Sequence, residues 1–114
     1  MKLLTKAIKE KLLANSKATL EAEGASLPHK PVVKYFNPCG AATWLITEMD
    51  EDGIMYGLSN LGMGFPELGS VSLAELESVK LPFGLGIERD LHFEADKTLV
   101  EYANEARASG RIAA

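Results

Sequence analysis

A sequence of 114 residues is long enough to bury one hydrophobic core, and its 46% apolar and 25% charged residues are typical of folded rather than disordered chains. The formal charge of −4 disfavours a protein that grips nucleic-acid phosphates, because that affinity needs clustered Lys and Arg. A single cysteine excludes an internal disulfide.

The first predicted element is an amphipathic helix between residues 5 and 23. Thr5 is the expected N-cap and Gly24 the expected stop. A break at Asn15 and Ser16 is the alternative to one continuous helix. The helical spacing is carried by four apolar residues, which are Leu4, Ile8, Leu12 and Leu20.

A linker with two prolines, residues 25–31, precedes three runs typical of β-strands, residues 32–36, 43–50 and 54–61. The turn at residues 51–53 contains Gly53, which favours a tight hairpin. In the second run, alternation places Leu45, Thr47 and Met49 on one face. Both faces are partly apolar, so we expect helices to cover part of each.

Residues 62–67 predict an irregular loop, followed by a short strand at residues 69–71. Ser72 and Glu75 stand three positions apart, which is the spacing of a helix capping box. The resulting short helix ends before Pro82, which forbids helix continuation.

Residues 87–93 alternate between apolar and polar side chains, which predicts a half-buried strand. A second capping box, Thr98 with Glu101, opens a terminal helix that ends at Gly110. The apolar stripe of this helix consists of Leu99, Tyr102, Ala103 and Ala106.

The predicted fold is α+β: one antiparallel sheet of four to five strands, with N-terminal, short middle and C-terminal helices packed on it. We expect a single domain over residues 1–114. Early lysines interrupt any signal-peptide core, and no apolar run approaches the ~20 residues that span a bilayer. The expected compartment is the cytoplasm, with no membrane contact.

Three segments are distinctive: Ala-Thr-Trp-Leu at 42–45, Gly-Met-Gly-Phe-Pro-Glu-Leu-Gly at 62–69 and Glu-Arg-Asp-Leu-His-Phe at 88–93. With them, the chain resembles over nearly its whole length a bacterial family of domains of unknown function, carried largely on plasmids, phage remnants and integrative elements. The resemblance implies a mobile-element setting. It supplies no catalytic residues.

The loop tip Phe65, Pro66 and Glu67 is the first candidate binding site, because an exposed aromatic side chain often anchors a partner. The alternative is a tight connection that needs its glycines. Arg89 is the second candidate, since a cation on the apolar side of the predicted strand needs an anion. A structural ion pair with Glu67 or Glu48 is favoured over binding of an external anion.

A metal site is the alternative chemistry. Glu88, Asp90 and His92 project from one side of the predicted strand, where they either converge on a metal ion or form a solvated edge. In the first case Glu67 is the candidate general base.

The sequence and the resemblance favour a non-enzymatic protein-interaction module of a mobile element, and the specific role we expect is inhibition of a host defence complex of the anti-CRISPR or anti-restriction type. No catalytic residue and no cofactor is expected. The expected partner is a protein, not nucleic acid or membrane, and the chain is expected to be a monomer or homodimer. A small metal-dependent hydrolase is the alternative.

Overall fold

The computed structural model describes residues 2–23 and 27–114. Within these ranges, an antiparallel sheet of five strands has the order β4-β3-β2-β1-β5 and is accompanied by three α-helices, which confirms the predicted α+β fold. In chain order the elements are α1 (Lys6–Glu21), β1 (Val33–Phe36), β2 (Thr43–Met49), β3 (Ile54–Asn60), β4 (Glu67–Ser72), α2 (Leu73–Ser78), a 3-10 turn (Pro82–Gly84), β5 (Glu88–Arg89) and α3 (Leu99–Ser109).

Helix α1 begins as predicted, because the Thr5 hydroxyl accepts a hydrogen bond from the Ile8 amide at 3.1 Å. It continues through Asn15 and Ser16 without a break. The Asn15 side-chain amide donates to the Thr47 carbonyl oxygen at 2.8 Å, so it ties the helix to β2 instead of competing for the helix backbone. The helix ends at Glu21 with Ala22 as its C-cap, slightly before the predicted end at residue 23. The predicted stop residue, Gly24, lies outside the described residues.

Helices cover both faces of the sheet, as expected from its two partly apolar sides. The α1 side contains a core cluster around Leu12, Tyr35 and Ile46. On the α3 side, Leu45 and Leu58 pack against the stripe predicted for the terminal helix. All four members of that stripe are buried: Leu99, Tyr102, Ala103 and Ala106.

A β-bulge in β2 corrects the predicted alternation. The register passes from Ile46 opposite Gly57 to Glu48 opposite Tyr56, so Thr47 is an extra residue on β2. As a result Met49 packs on the α1 side of the sheet, and not beside Leu45 as strict alternation predicted.

The predicted hairpin between β2 and β3 is confirmed. The Asp50 carboxylate accepts the amides of Asp52 and Ile54 at 2.9 and 3.0 Å. Gly53 has a φ of 80°, a conformation that glycine adopts without steric cost.

Residues 87–93 do not form the predicted strand. Only Glu88 and Arg89 pair with β1, and the chain then turns at Leu91 and His92. The Asp90 carboxylate accepts the His92 amide at 2.9 Å, which stabilises this turn locally. The alternating pattern of residues 87–93 therefore covers a two-residue strand and a turn, and the Asp90 side chain stabilises that turn.

The apolar residues of this segment consequently separate. Ile87 packs in the cluster on the α1 side, Phe93 packs against the cluster on the α3 side, and Leu91 is exposed.

Helix α3 has the predicted capping box. The Thr98 hydroxyl accepts the Glu101 amide at 3.3 Å, while the Glu101 carboxylate accepts the Thr98 amide at 3.0 Å. The helix ends at Gly110, whose φ is 80°. Both ends of this helix were thus predictable from residues close in sequence.

Two carboxylates near α3, Asp96 and Glu101, have pKa values below their usual range. The Tyr102 hydroxyl donates to the Asp96 carboxylate at 2.8 Å and, with the charge of Lys97, lowers the pKa of Asp96. Hydrogen bonds from Thr98 lower the pKa of Glu101. Because both pKa values are lower in the folded chain than in the unfolded chain, their contribution to stability is present at neutral pH. It disappears as the pH falls below about 4.

We expect Tyr102→Phe to reduce stability at neutral pH and to differ less from the wild type in acid, because the hydrogen bond to ionised Asp96 is missing. Thermal unfolding followed by circular dichroism from neutral to acidic pH measures this difference. Tyr56→Phe, at an exposed tyrosine, is the control. A stability gap for Tyr102→Phe that is independent of pH contradicts the assignment.

Candidate functional site

A groove of about 570 Å³ lies at one corner of the α1 side of the sheet. Its floor comes from neighbouring strands, since Trp44 on β2 lies opposite Ser59 on β3, and Ser59 lies opposite Glu67 on β4. One wall is α2 and the residues that follow it. The other wall is the loop between β3 and β4. The wall side chains are Glu75, Leu76 and Val79 on the first side, and Leu61, Met63 and Phe65 on the second.

The groove is open because the strands below it carry small side chains at its centre. Ser59 is on β3, and Gly69 follows Glu67 on the same face of β4. A Cβ atom built on Gly69 has no neighbour within 4 Å. Unfilled space therefore lies above β4.

The loop wall exposes large apolar side chains. Phe65 is 76% exposed, Met63 is 69% exposed and Leu61 is 59% exposed. The glycines between them, Gly62 and Gly64, have φ values of 88° and 80°, which is the left-handed region that side chains disfavour. The loop thus presents three apolar side chains beside one another.

Two residues of the predicted loop-tip site line this groove, Phe65 and Glu67. Pro66 between them is buried. The sequence-based prediction did not include Leu61, Met63, Gly69 or Glu75. Large apolar residues that alternate with glycines at the end of a predicted strand and in the loop after it were the signal that would have identified the first two.

Arg89 lies far from the groove. It stands opposite Tyr35 where β5 pairs with β1, so it belongs to the other edge of the sheet from Glu67 on β4. Four strand spacings separate these edge strands, about 19 Å. The predicted ion pair between Arg89 and Glu67 is therefore wrong.

The residue opposite Arg89 is fully buried. The Tyr35 hydroxyl donates to the Leu3 carbonyl oxygen at 2.7 Å. Burial raises the pKa of Tyr35, and this effect exceeds the opposing effect of the Arg89 charge. Tyr35 therefore acts as a neutral hydrogen-bond donor that holds the segment before α1 on the sheet.

The structure does not bring the predicted metal ligands onto one side of a strand. Asp90 lies 3.6 Å from the Lys34 ammonium and accepts the amide of His92, which is exposed in the turn. Glu88 is on β5, and Glu67, the candidate base, is on the opposite edge strand. Within residues 2–23 and 27–114, no group of three or more His, Cys, Asp or Glu side chains is placed to hold a metal ion.

A polar cluster that the sequence did not predict joins α1 to β2. The Thr19 hydroxyl lies 3.1 Å from His29 Nε2 and donates to the Glu48 carboxylate at 3.0 Å. The same Nε2 atom lies 3.9 Å from Glu48. Because one ring nitrogen faces both neighbours, the three groups are not in the series of nucleophile, base and acid that a catalytic triad requires.

This cluster has a structural consequence instead. The His29 carbonyl oxygen accepts the Leu99 amide at 2.9 Å, at the start of α3. The residues around His29 therefore link α1, β2 and α3. Glu48, which the sequence suggested as a partner of Arg89, interacts here with Thr19 and His29.

Comparison with known proteins places the chain in a family. No helix in the described part of the chain has the length and apolar character needed to cross a membrane. No curated protein and no solved structure matches the sequence significantly. Residues 3–113 match the family model described as "Protein of unknown function (DUF2958)", which confirms the expected membership in a family of domains of unknown function. The chain therefore belongs to the DUF2958 family.

Proposed function

We propose that this protein is a non-enzymatic protein-binding module that holds its partner in the groove between α2 and the loop of residues 61–66. The observation that carries the proposal is the exposure of Leu61, Met63 and Phe65 along one wall of that groove. Contiguous exposed apolar side chains are costly in water and mark interaction sites. They supply binding energy when a partner removes them from water.

Phe65 is the expected anchor. An aromatic side chain at the centre of a protein interface often contributes 2 kcal/mol or more to binding. The buried Pro66 follows Phe65, and its ring restricts the backbone next to the anchor. Less conformational entropy is lost on binding when the contact side chain is already positioned.

The proposed setting is a mobile genetic element, and the proposed partner is a component of a host defence complex. Both the setting and the partner are supported by the family resemblance of the three distinctive segments. The net charge of −4 fits a protein partner better than direct binding to nucleic-acid phosphates.

The test is capture of partners from a bacterial host lysate by immobilised protein, with quantitative mass spectrometry. We expect Phe65→Asn to reduce the captured partner by about tenfold or more, because the anchor is lost. The matched control is Phe83→Asn. Phe83 is 97% exposed on the 3-10 turn and does not line the groove, so this variant should capture the partner as the wild type does.

Two results contradict the proposal at different levels. Equal capture by the wild type and by Phe65→Asn rejects the groove as the binding site. A partner that depends on Phe65 but belongs to no defence complex rejects the anti-defence role and leaves the binding module in place.

A further inference from the structure

We infer that the groove binds an extended segment of the partner, which adds as a strand to the free edge of β4 and carries alternating apolar side chains together with Lys or Arg. This inference rests on the proposed function and specifies the chemistry of the partner. Three features of the described residues support this inference: the exposed edge of β4, the open space beside that edge and the negative charge of the groove.

The first feature is the edge itself. Strand β4 lies at one end of the sheet and pairs with β3 over six consecutive residues without a register shift. None of its six residues is buried. On an edge strand, alternate residues direct their N–H and C=O groups outward, where they can pair with another strand.

This edge has little of the usual protection against strand addition. Proteins block edges with Lys, Pro, bulges or very short strands. The opposite edge of the sheet is protected in this way, because β5 has only two residues. Strand β4 has neither Lys nor Pro, keeps a regular register and carries its one charged residue, Glu67, at its first position, so the rest of its edge remains competent to pair.

The second feature is the space beside the edge. A strand added to β4 projects alternate side chains to the face that holds the groove. There they meet the open volume above Gly69 and the apolar side chains of Val71 and Phe65. This arrangement favours apolar residues at every second position of the bound segment.

The third feature is charge. The charged residues that line the groove are Glu67 and Glu75, and its lining contains no Lys, Arg or His. A bound segment with Lys or Arg places its cations beside these carboxylates, whereas an acidic segment is repelled. A second copy of the chain fits less well, because its own β4 would add Glu67 and no cation.

The experiment is selection from a displayed library of random peptides, with the wild type as the target and Gly69→Val as the counter-target. A Cβ atom at position 69 has no neighbour within 4 Å, so we expect valine to extend into the open space and the fold to be retained, which circular dichroism and thermal unfolding check. We expect enriched peptides with apolar residues at alternate positions and at least one Lys or Arg.

The affinity of the enriched peptides should fall by about tenfold or more for Gly69→Val and for Glu67→Lys. Glu10→Lys, an exposed site on α1, is the charge-matched control and should leave the affinity unchanged.

Hydrogen exchange tests the strand pairing directly. We expect a bound peptide to slow exchange of amides in β4, because an added strand protects the outward-facing N–H groups. Slowed exchange that excludes β4 contradicts strand addition.

Other outcomes overturn the inference. Acidic peptides, peptides with apolar residues at helical spacing, binding that Gly69→Val leaves intact, or no enrichment all contradict it. Dimers in solution that Gly69→Val disrupts would assign the edge to a second copy. If selection fails while lysate capture still depends on Phe65, the proposed binding module stands and only the strand-addition inference is rejected. If capture does not depend on Phe65, the proposed function itself fails.

Discussion

Replacement of Gly57 by alanine is expected to destabilise the fold by about 3 kcal/mol or more. A Cβ atom at this position would lie 1.9 Å from the Leu45 carbonyl oxygen and 2.9 Å from the Ile46 Cα. Both atoms belong to the backbone of the neighbouring central strand, so no side-chain rotation relieves the clash. Gly57 pairs with Ile46, the residue directly before the bulge in β2.

The register partner of Gly57 provides a matched control. Gly69 lies directly opposite it on β4, and a Cβ atom there meets nothing within 4 Å. Gly69→Ala is expected to be neutral or to stabilise by up to about 1 kcal/mol, because alanine restricts the unfolded chain. Denaturant unfolding of both variants measures the difference. Similar stabilities for the two variants would show that the close approach at Gly57 is absent.

Leu12→Ala is expected to reduce stability by about 3 kcal/mol. Leu12 is the buried residue of α1, which the structure describes in full, and its side chain is 0% exposed in the cluster on the α1 side of the sheet. Its truncation removes apolar contacts and leaves a cavity between α1 and β2. Because α1 covers this face, the whole sheet should unfold at a lower denaturant concentration.

The control lies on the same helix. Leu20 shares the four-residue spacing of the predicted apolar stripe but is 76% exposed. Leu20→Ala is expected to change stability by no more than about 0.5 kcal/mol. Denaturant unfolding monitored by Trp44 fluorescence and by circular dichroism gives both values. Comparable losses for Leu12→Ala and Leu20→Ala would contradict the observed packing of α1.

The sequence predicted the features that depend on near neighbours in the chain. The Thr5 cap, the hairpin turn at residues 51–53 and the Thr98 capping box each join groups no more than four residues apart, although the role of the Asp50 carboxylate in that turn was not predicted. For such features the residue types and their spacing are sufficient, because the backbone between the groups has few conformations. The five-strand fold class followed from these local signals together with the apolar periodicity.

The same local rules misassigned residues 87–93. Alternating polarity is compatible with a strand, but also with a turn whose apolar side chains pack in different places. The Asp90 carboxylate accepts the His92 amide and stabilises a turn directly after the two paired residues of β5. Glu88, Asp90 and His92 therefore do not lie along one strand, as the metal-site hypothesis required. Phe65 and Glu67, which were predicted as binding residues at the loop tip, both line the groove, because they are close in sequence to the loop that forms one wall.

By itself, then, the sequence determined the helices, their N-terminal caps, the main hairpin and the membership in a family, all through residue types at short spacing. Only the tertiary structure decided the bulge at Thr47, the steric requirement at Gly57 and the groove beside β4. The physical reason is that each of these depends on atoms brought together from separate strands and helices. Packing determines those distances, and no spacing along the chain encodes them.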